Sequence, residues 1–281
     1  MLRFAPSPNG ALHKGHALSA LANAAMADAL GKPLRLRMED IDQSRCRPEH
    51  EIAIIEDLAW LGVNWQPPLL RQSDRFERYA AHLATLRDAG LLLPSVLTRK
   101  EIALAATERG LSRDPDGAPI VLDEAAIIGA REVARRIAEG QAVAFRLDMA
   151  EAIRRTGPLT MLEVDSAGTP IGETLVAPAR WGNVVLARKE TPTSYHLSVV
   201  TDDAEQAITH VVRGADLREA TAVHRTLQAL LGWPAPAYHH HQLILGDDGR
   251  KLSKSNGALS LAAQRKAGLT ADALRNALGY A

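Results

Sequence analysis

Apolar positions along this chain fall in short runs whose spacing switches between the two-residue period of strands and the longer period of helices. Leu2–Ala5 is a strand-like run that ends in a Pro/Gly-rich turn. An Ala/Leu-rich stretch from Gly15 to Leu30 predicts a helix, stopped by Gly31-Lys32-Pro33. Leu34–Met38 alternates around Arg35 and Arg37, predicts a second strand and leads into Glu39-Asp40-Ile41-Asp42. Strand, helix and strand at this spacing form a βαβ unit, which requires a parallel sheet. Helical patterns follow over Pro48–Leu61 and Asp74–Ala89.

From Leu91 to Pro178 the pattern changes character. Thr98–Arg109 and Asp123–Glu139 read as helices around a turn-rich Arg113–Pro119, and Ala142–Leu147 and Thr160–Val164 as short strands. This stretch is expected to be an insertion between two halves of a sheet domain. The α/β pattern resumes at Val184. Val184–Ala187 and His210–Arg213 predict strands, Asp216–Leu231 a helix and His241–Leu245 a strand before Gly246-Asp247-Asp248-Gly249. The expected division is a first sheet half (1–90), an inserted subdomain (91–178), a second half (179–250) and a loop with a helical tail (251–281).

Composition narrows the function classes. Hydrophobic residues make up 46% of 281, enough for a sizeable core, while Lys+Arg and Asp+Glu balance at 33 each. A body built for unspecific phosphate binding would be basic, so any nucleic-acid contact is expected to be local. Cys46 is the only cysteine, which excludes an internal disulfide or a Cys-cluster metal site. No apolar run is long enough to span a membrane, and the start carries no signal-peptide pattern, so a cytoplasmic protein is expected.

Two segments carry candidate chemistry. Near the start, a strand and a Pro/Gly turn lead into His13-Lys14-Gly15-His16 at the beginning of a helix. A helix N-terminus favours anions, and both imidazoles can donate to phosphoryl oxygens from one face. Gly15 would let a flat base or ribose come close to the backbone. Near the end, Lys251-Leu252-Ser253-Lys254-Ser255 places two ammonium groups in a loop, suited to charge on phosphoryl oxygens during transfer. Each alone has a bland reading, a capped helix or a solvated loop. Together, at opposite ends of an α/β chain, they point to nucleotide chemistry.

These two motifs resemble the signatures of the class I aminoacyl-tRNA synthetases. Arg3–Pro8, Arg37–Asp42, Ser194–Asp203, Val212–Leu217 and Gly246–Arg250 are similar to the glutamyl branch across essentially the whole chain. The resemblance implies a Rossmann-type parallel-sheet catalytic domain with an inserted α/β subdomain. It implies that His13, His16 and Lys254 stabilise phosphoryl charge, and that Gly15, Lys251, Ser253 and Lys254 hold ATP, which arrives with Mg2+. It assigns glutamate contacts to Arg3, Phe4, Ala5, Pro6, Ser7, Glu39, Tyr195 and Arg213. The residue types agree: glutamate needs guanidinium forks for its carboxylates and a carboxylate for its ammonium. Arg3 and Arg213 also sit at carboxyl ends of predicted strands, where open α/β sheets bind ligands.

Other candidates are weaker. His239-His240-His241 invites a metal reading, but consecutive side chains in a strand diverge, so packing or a place near the nucleotide is expected. Asp40/Asp42 and Asp202/Asp203 are read as structural or solvated. Related proteins often carry a Cys-based zinc site near a segment resembling Leu92–Arg99; this stretch has no cysteine, so no structural zinc is expected. After Ser255 only Asn256–Ala281 remains, with room for two short helices and no anticodon-reading body. That architecture resembles the glutamyl-Q tRNA(Asp) synthetases, stand-alone paralogues of the branch. The resemblance implies activation of L-glutamate with ATP without tRNA, then transfer to queuosine in the anticodon loop of tRNA(Asp), by a protein expected to be a monomer. The alternative is a truncated glutamyl-tRNA synthetase that charges tRNA(Glu) at its 3′ end.

Overall fold

The first βαβ unit forms where the apolar spacing predicts it. The computed structural model describes residues 1–246 and 259–280. Strand β1 (Leu2–Phe4) leads to helix α1 (Lys14–Ala29), strand β2 (Leu34–Met38), helix α2 (Pro48–Trp60) and strand β3 (Gln66–Arg71). Parallel ladders join β1 to β2 and β2 to β3. Helix α1 buries Ala17, Ala20, Leu21, Ala22, Met26 and Ala27. Small side chains let its backbone approach the sheet closely, and Ala costs nothing in helix propensity.

The chain continues through α3 (Phe76–Asp88), β4 (Leu92–Ser95), α4 (Arg99–Arg109), α5 (Ala125–Ile128), α6 (Ala130–Ala138) and β5 (Ala144–Leu147). The helix expected over 123–139 is broken at Gly129, whose φ of 87° lies in the left-handed region that favours glycine. Next come α7 (Met149–Thr156), β6 (Thr160–Val164), β7 (Pro170–Leu175) and β8 (Val185–Ala187). Strand β5 pairs antiparallel with β4 and β8, whereas β6 runs parallel to a later strand and carries β7 as an antiparallel edge.

The last stretch contains α8 (Tyr195–Glu205), β9 (His210–Gly214), α9 (Thr221–Leu230), β10 (Ala237–His241), α10 (Leu261–Lys266) and α11 (Ala271–Ala277). Two boundaries differ from the sequence pattern. The helix expected from Asp216 starts at Thr221, after a separate short 3-10 turn over Ala215–Leu217. The strand expected at His241–Leu245 lies at Ala237–His241 instead, and the apolar Leu243 and Ile244 line a cleft rather than pair in a sheet.

The sheet order is β7-β6-β10-β9, with β9 lying beside β1 of the β1-β2-β3 ladder. At that junction the Thr209 amide donates to the Met1 carbonyl at 2.9 Å. One apolar core gathers β1, β2, α1 and α2 and receives Leu261 of α10 and Leu274 of α11; a second gathers α7, α8, α9 and β8. Burial of these side chains from both flanks holds the strand ends in register. Among the described residues, no helix is long and apolar enough to cross a membrane.

Candidate active site

The carboxyl ends of β1, β2, β9 and β10 open into a cleft of about 730 Å³, closed on one side by the first turn of α1 and on another by the start of α8. Arg3–Ser7, Glu39, Tyr195 and Arg213 line it, and so do His13, Gly15 and His16. The structure thus brings together the expected residues that it describes. Lys251, Ser253 and Lys254 lie outside the described residues. The chain leaves the cleft wall after Leu243 and Ile244 and is described again at Leu259. There Ser260 forms an antiparallel bridge with His13, and the Leu261 amide donates to the Leu12 carbonyl at 2.8 Å.

The two histidines of α1 cap their own helix. The Gly15 amide donates to His13 Nδ1 at 3.1 Å, and the His13 amide donates to His16 Nδ1 at 3.1 Å. Each Nδ1 is therefore an acceptor, which puts the proton of a neutral ring on Nε2. Nε2–H donors at a helix N-terminus suit anionic oxygens rather than a metal ion. Gly15 lines the cleft, and its lack of a side chain also leaves room for the His13 ring. A Cβ at that position would meet the His13 ring, with Cε1 at 3.0 Å.

Below the cleft floor, Asp203 of α8 accepts from Arg3 Nε at 3.0 Å and from Arg37 Nη2 at 2.6 Å. Burial opposes the ionisation of Asp203, but the two guanidinium groups outweigh it and hold the carboxyl below its ordinary range. Asp202 is buried as well, taking Gln72 Nε2 and Arg75 Nε at 2.8 Å each. Asp40 accepts from the Ser73 amide at 2.8 Å, which ties the end of β2 to the turn after β3. These carboxylates are structural. Glu39 differs: its burial drives its pKa up most strongly, Arg37 and Arg3 pull it down, and the carboxyl settles at about 7.

Arg213 occupies the opposite wall, 5% exposed at the end of β9. Its Nη2 donates to Thr221 Oγ1 at 2.6 Å, its Nη1 reaches His224 Nδ1 at 3.0 Å and Tyr195 Oη at 3.4 Å, and its Nε reaches His240 Nε2 at 3.4 Å. His224 Nε2 lies 3.3 Å from His196 Nδ1. Burial and the adjacent Arg213 keep His224 well below the usual histidine range, His196 at about 4 and His240 at about 3. Among the described residues, no carboxylate forms a salt bridge with Arg213. Immediately after it, a Cβ at Gly214 would come within 2.6 Å of Asp216 Oδ1 and 2.9 Å of Leu243 Cδ2, so glycine makes room for those two side chains.

Thr221 and His224 carry no motif, and His240 stands in the histidine triplet read for packing or a place near the nucleotide, so the sequence pattern did not single them out for this role. In β10, successive histidines turn different ways: His240 faces Arg213, whereas His239 Nδ1 lies 3.0 Å from the Val164 carbonyl. Among the described residues, no group of three or more His, Cys, Asp or Glu side chains could hold a metal ion.

Comparison with known proteins places this geometry in context. Residues 1–280 match the family model described as tRNA synthetases class I (E and Q), catalytic domain. The chain is 43% identical to a glutamyl-Q tRNA(Asp) synthetase of Rhodobacter capsulatus, covering 99% of both proteins. It is 38% identical to glutamate–tRNA ligase 2 of Acidiphilium cryptum, where 97% of this chain spans 59% of that protein. A crystal structure of glutamate-tRNA synthetase from Elizabethkingia anophelis superposes with a TM-score of 0.73 at 26% identity, over 95% of this chain and 54% of that one.

Proposed function

The chain belongs to the class I tRNA synthetases of the E and Q type, and on that premise we propose that it activates L-glutamate with ATP and transfers it to queuosine in the anticodon loop of tRNA(Asp). The observation that carries the amino-acid assignment is Arg213, a buried guanidinium at the cleft with no carboxylate partner among the described residues. A ligand carboxylate completes it, and Glu39 receives the ammonium. The acceptor assignment rests on the Rhodobacter capsulatus relative, which matches this chain over 99% of both lengths.

In the first step an oxygen of the glutamate α-carboxylate attacks the α-phosphorus of ATP. A new carbon–oxygen–phosphorus linkage forms, the bond to the bridging oxygen breaks, and pyrophosphate leaves with the electron pair. The Nε2–H groups of His13 and His16 donate to phosphoryl oxygens, with Lys254 supplying positive charge. Mg2+ carried on the ATP phosphates would neutralise part of their charge. In the second step a hydroxyl oxygen of the cyclopentenediol attacks the activated carbonyl carbon. AMP departs and the hydroxyl proton is lost to solvent. In this reading the inserted stretch faces the acceptor from β4 to β5, whereas β6 and β7, although within the expected 91–178, join the sheet of the catalytic cleft.

Acceptor identity tests the proposal. Radiolabelled glutamate is incubated with ATP and tRNA(Asp) with queuosine, tRNA(Asp) without it, or tRNA(Glu). Label is expected only on the queuosine-bearing tRNA(Asp). Label at the 3′ end of tRNA(Glu) would overturn the acceptor assignment, and an absence of glutamate-dependent pyrophosphate exchange would overturn the activation step.

A further inference from the structure

Arg213 is a donor-only side chain, so every protein atom it contacts must accept from it. His224 must therefore present an unprotonated Nδ1 to Arg213 Nη1 at 3.0 Å. The proton of the His224 ring then sits on Nε2 and points at His196 Nδ1, 3.3 Å away. His196 is held in turn by the Trp181 ring, edge-on at 5.5 Å. Thr221 accepts from Arg213 Nη2 and can turn its own hydrogen toward His240 Nε2 at 3.3 Å. Each of these partners is a neutral acceptor, and His224 is only 2% exposed.

We propose that Thr221, His224 and His240 form a carboxylate-free collar that orients the Arg213 fork while leaving its charge for a substrate carboxylate, with His224 as the principal positioning residue. The inference rests on the reading of this cleft as a glutamate site. Burying a guanidinium without a counter-ion is costly, and an acidic neighbour would remove that cost. It would also remove the attraction for a ligand anion. Neutral acceptors fix the geometry of the fork without cancelling its charge. The His196–His224 chain selects the one tautomer in which His224 accepts.

Substitutions of His224 separate shape from charge, because Asn and Asp are nearly isosteric and both place an acceptor oxygen close to the Nδ1 position. Glutamate-dependent pyrophosphate exchange gives KM for glutamate and for ATP, and calorimetry gives glutamate affinity without ATP. His224→Ala is expected to raise the glutamate KM about tenfold, the scale of losing one hydrogen bond to a charged group. His224→Asn is expected to recover most of that loss. His224→Asp is expected to bind glutamate at least about tenfold more weakly than His224→Asn, since an internal carboxylate then competes for Arg213. The KM for ATP is expected to stay within about twofold throughout, because an orienting effect on Arg213 is specific to the carboxylate ligand.

Equal glutamate affinity in the Asn and Asp variants would overturn the inference. So would parallel changes in both KM values, or an Ala variant with unaltered glutamate KM. If thermal melting finds the Asp variant unfolded, the Ala and Asn pair still decides the positioning role. The wild-type protein separates the two readings. A wild type that neither binds nor activates glutamate defeats the function proposed above, whereas normal wild-type behaviour with indifferent His224 variants defeats only the collar.

Discussion

Two buried arginines of this molecule are handled in opposite ways. Arg37, fully buried, meets Asp203 at 2.6 Å and shares it with Arg3. Arg213, across the cleft, is surrounded by Thr221, His224, His240 and Tyr195, none of them acidic. The first arrangement satisfies charge within the fold and so stabilises the sheet–helix junction. The second leaves a charge for a visitor. Their difference teaches that a binding group is recognised by what its surroundings withhold, not by its own residue type.

The largest expected effect comes from breaking the internally paired side. Asp203→Ala strands two buried guanidinium groups and is expected to destabilise the fold by about 3–5 kcal/mol, read from urea or thermal melts. An unchanged midpoint would mean that the network under the cleft is dispensable. Arg213→Ala should do the reverse. Its melting is expected to stay close to wild type while kcat/KM for glutamate falls about a hundredfold, from loss of a desolvated charge partner. Loss of stability with an unaltered glutamate KM would erase the contrast between the two arginines.

A smaller, graded effect is expected from Glu39. Burial holds its carboxyl up at about 7, above a glutamate's usual 4.5, so its contribution to stability is full below 4.5 and is lost as pH rises through 7. Pairing with the substrate ammonium requires the ionised form. The glutamate KM is therefore expected to rise about tenfold per pH unit below 7 and to level above it. Glu39→Gln should flatten this profile, and a profile of the same shape in that variant would remove Glu39 from the role. The smallest effect is expected far from the cleft, on α6, where Arg135 pairs with Glu132 at 2.7 Å on an exposed surface. Arg135→Ala should leave both melting and glutamate kinetics unchanged, because solvent screens such pairs.

How much of this was legible in the sequence depended on whether the signal was local. The β1–α1–β2 unit was readable because its apolar period, its Gly-Lys-Pro stop and its alternation all agree. Strand β3 was not, since Pro67 and Pro68 argue against a strand until β2 is there to pair with. Helix α8 was hidden for another reason. Its run of Ser, Val, Thr and Asp has weak helix propensity, and its stability comes from burial of Leu197, Val199 and Val200 together with ion pairing of Asp202 and Asp203.

The site divides along the same line. Arg3, Glu39, Tyr195, Arg213 and the histidine pair stand in contiguous motifs, and the described cleft gathers them. The collar does not. Thr221, His224 and His240 come from α9 and β10, and only the fold puts them around one guanidinium. The strand itself was misplaced, at His241–Leu245, because the apolar Leu243–Leu245 run looks more like a strand than the histidine triplet that ends β10.

The bridge from Ser260 to His13 has a consequence for the histidine pair itself. Leu261 is wholly buried in the first core and its amide donates to the Leu12 carbonyl, so the start of α10 is moored beside the histidine pair. The two Nε2–H donors are therefore braced by packing from the far end of the sequence, and the entropy of ordering them is settled when the protein folds rather than in each turnover.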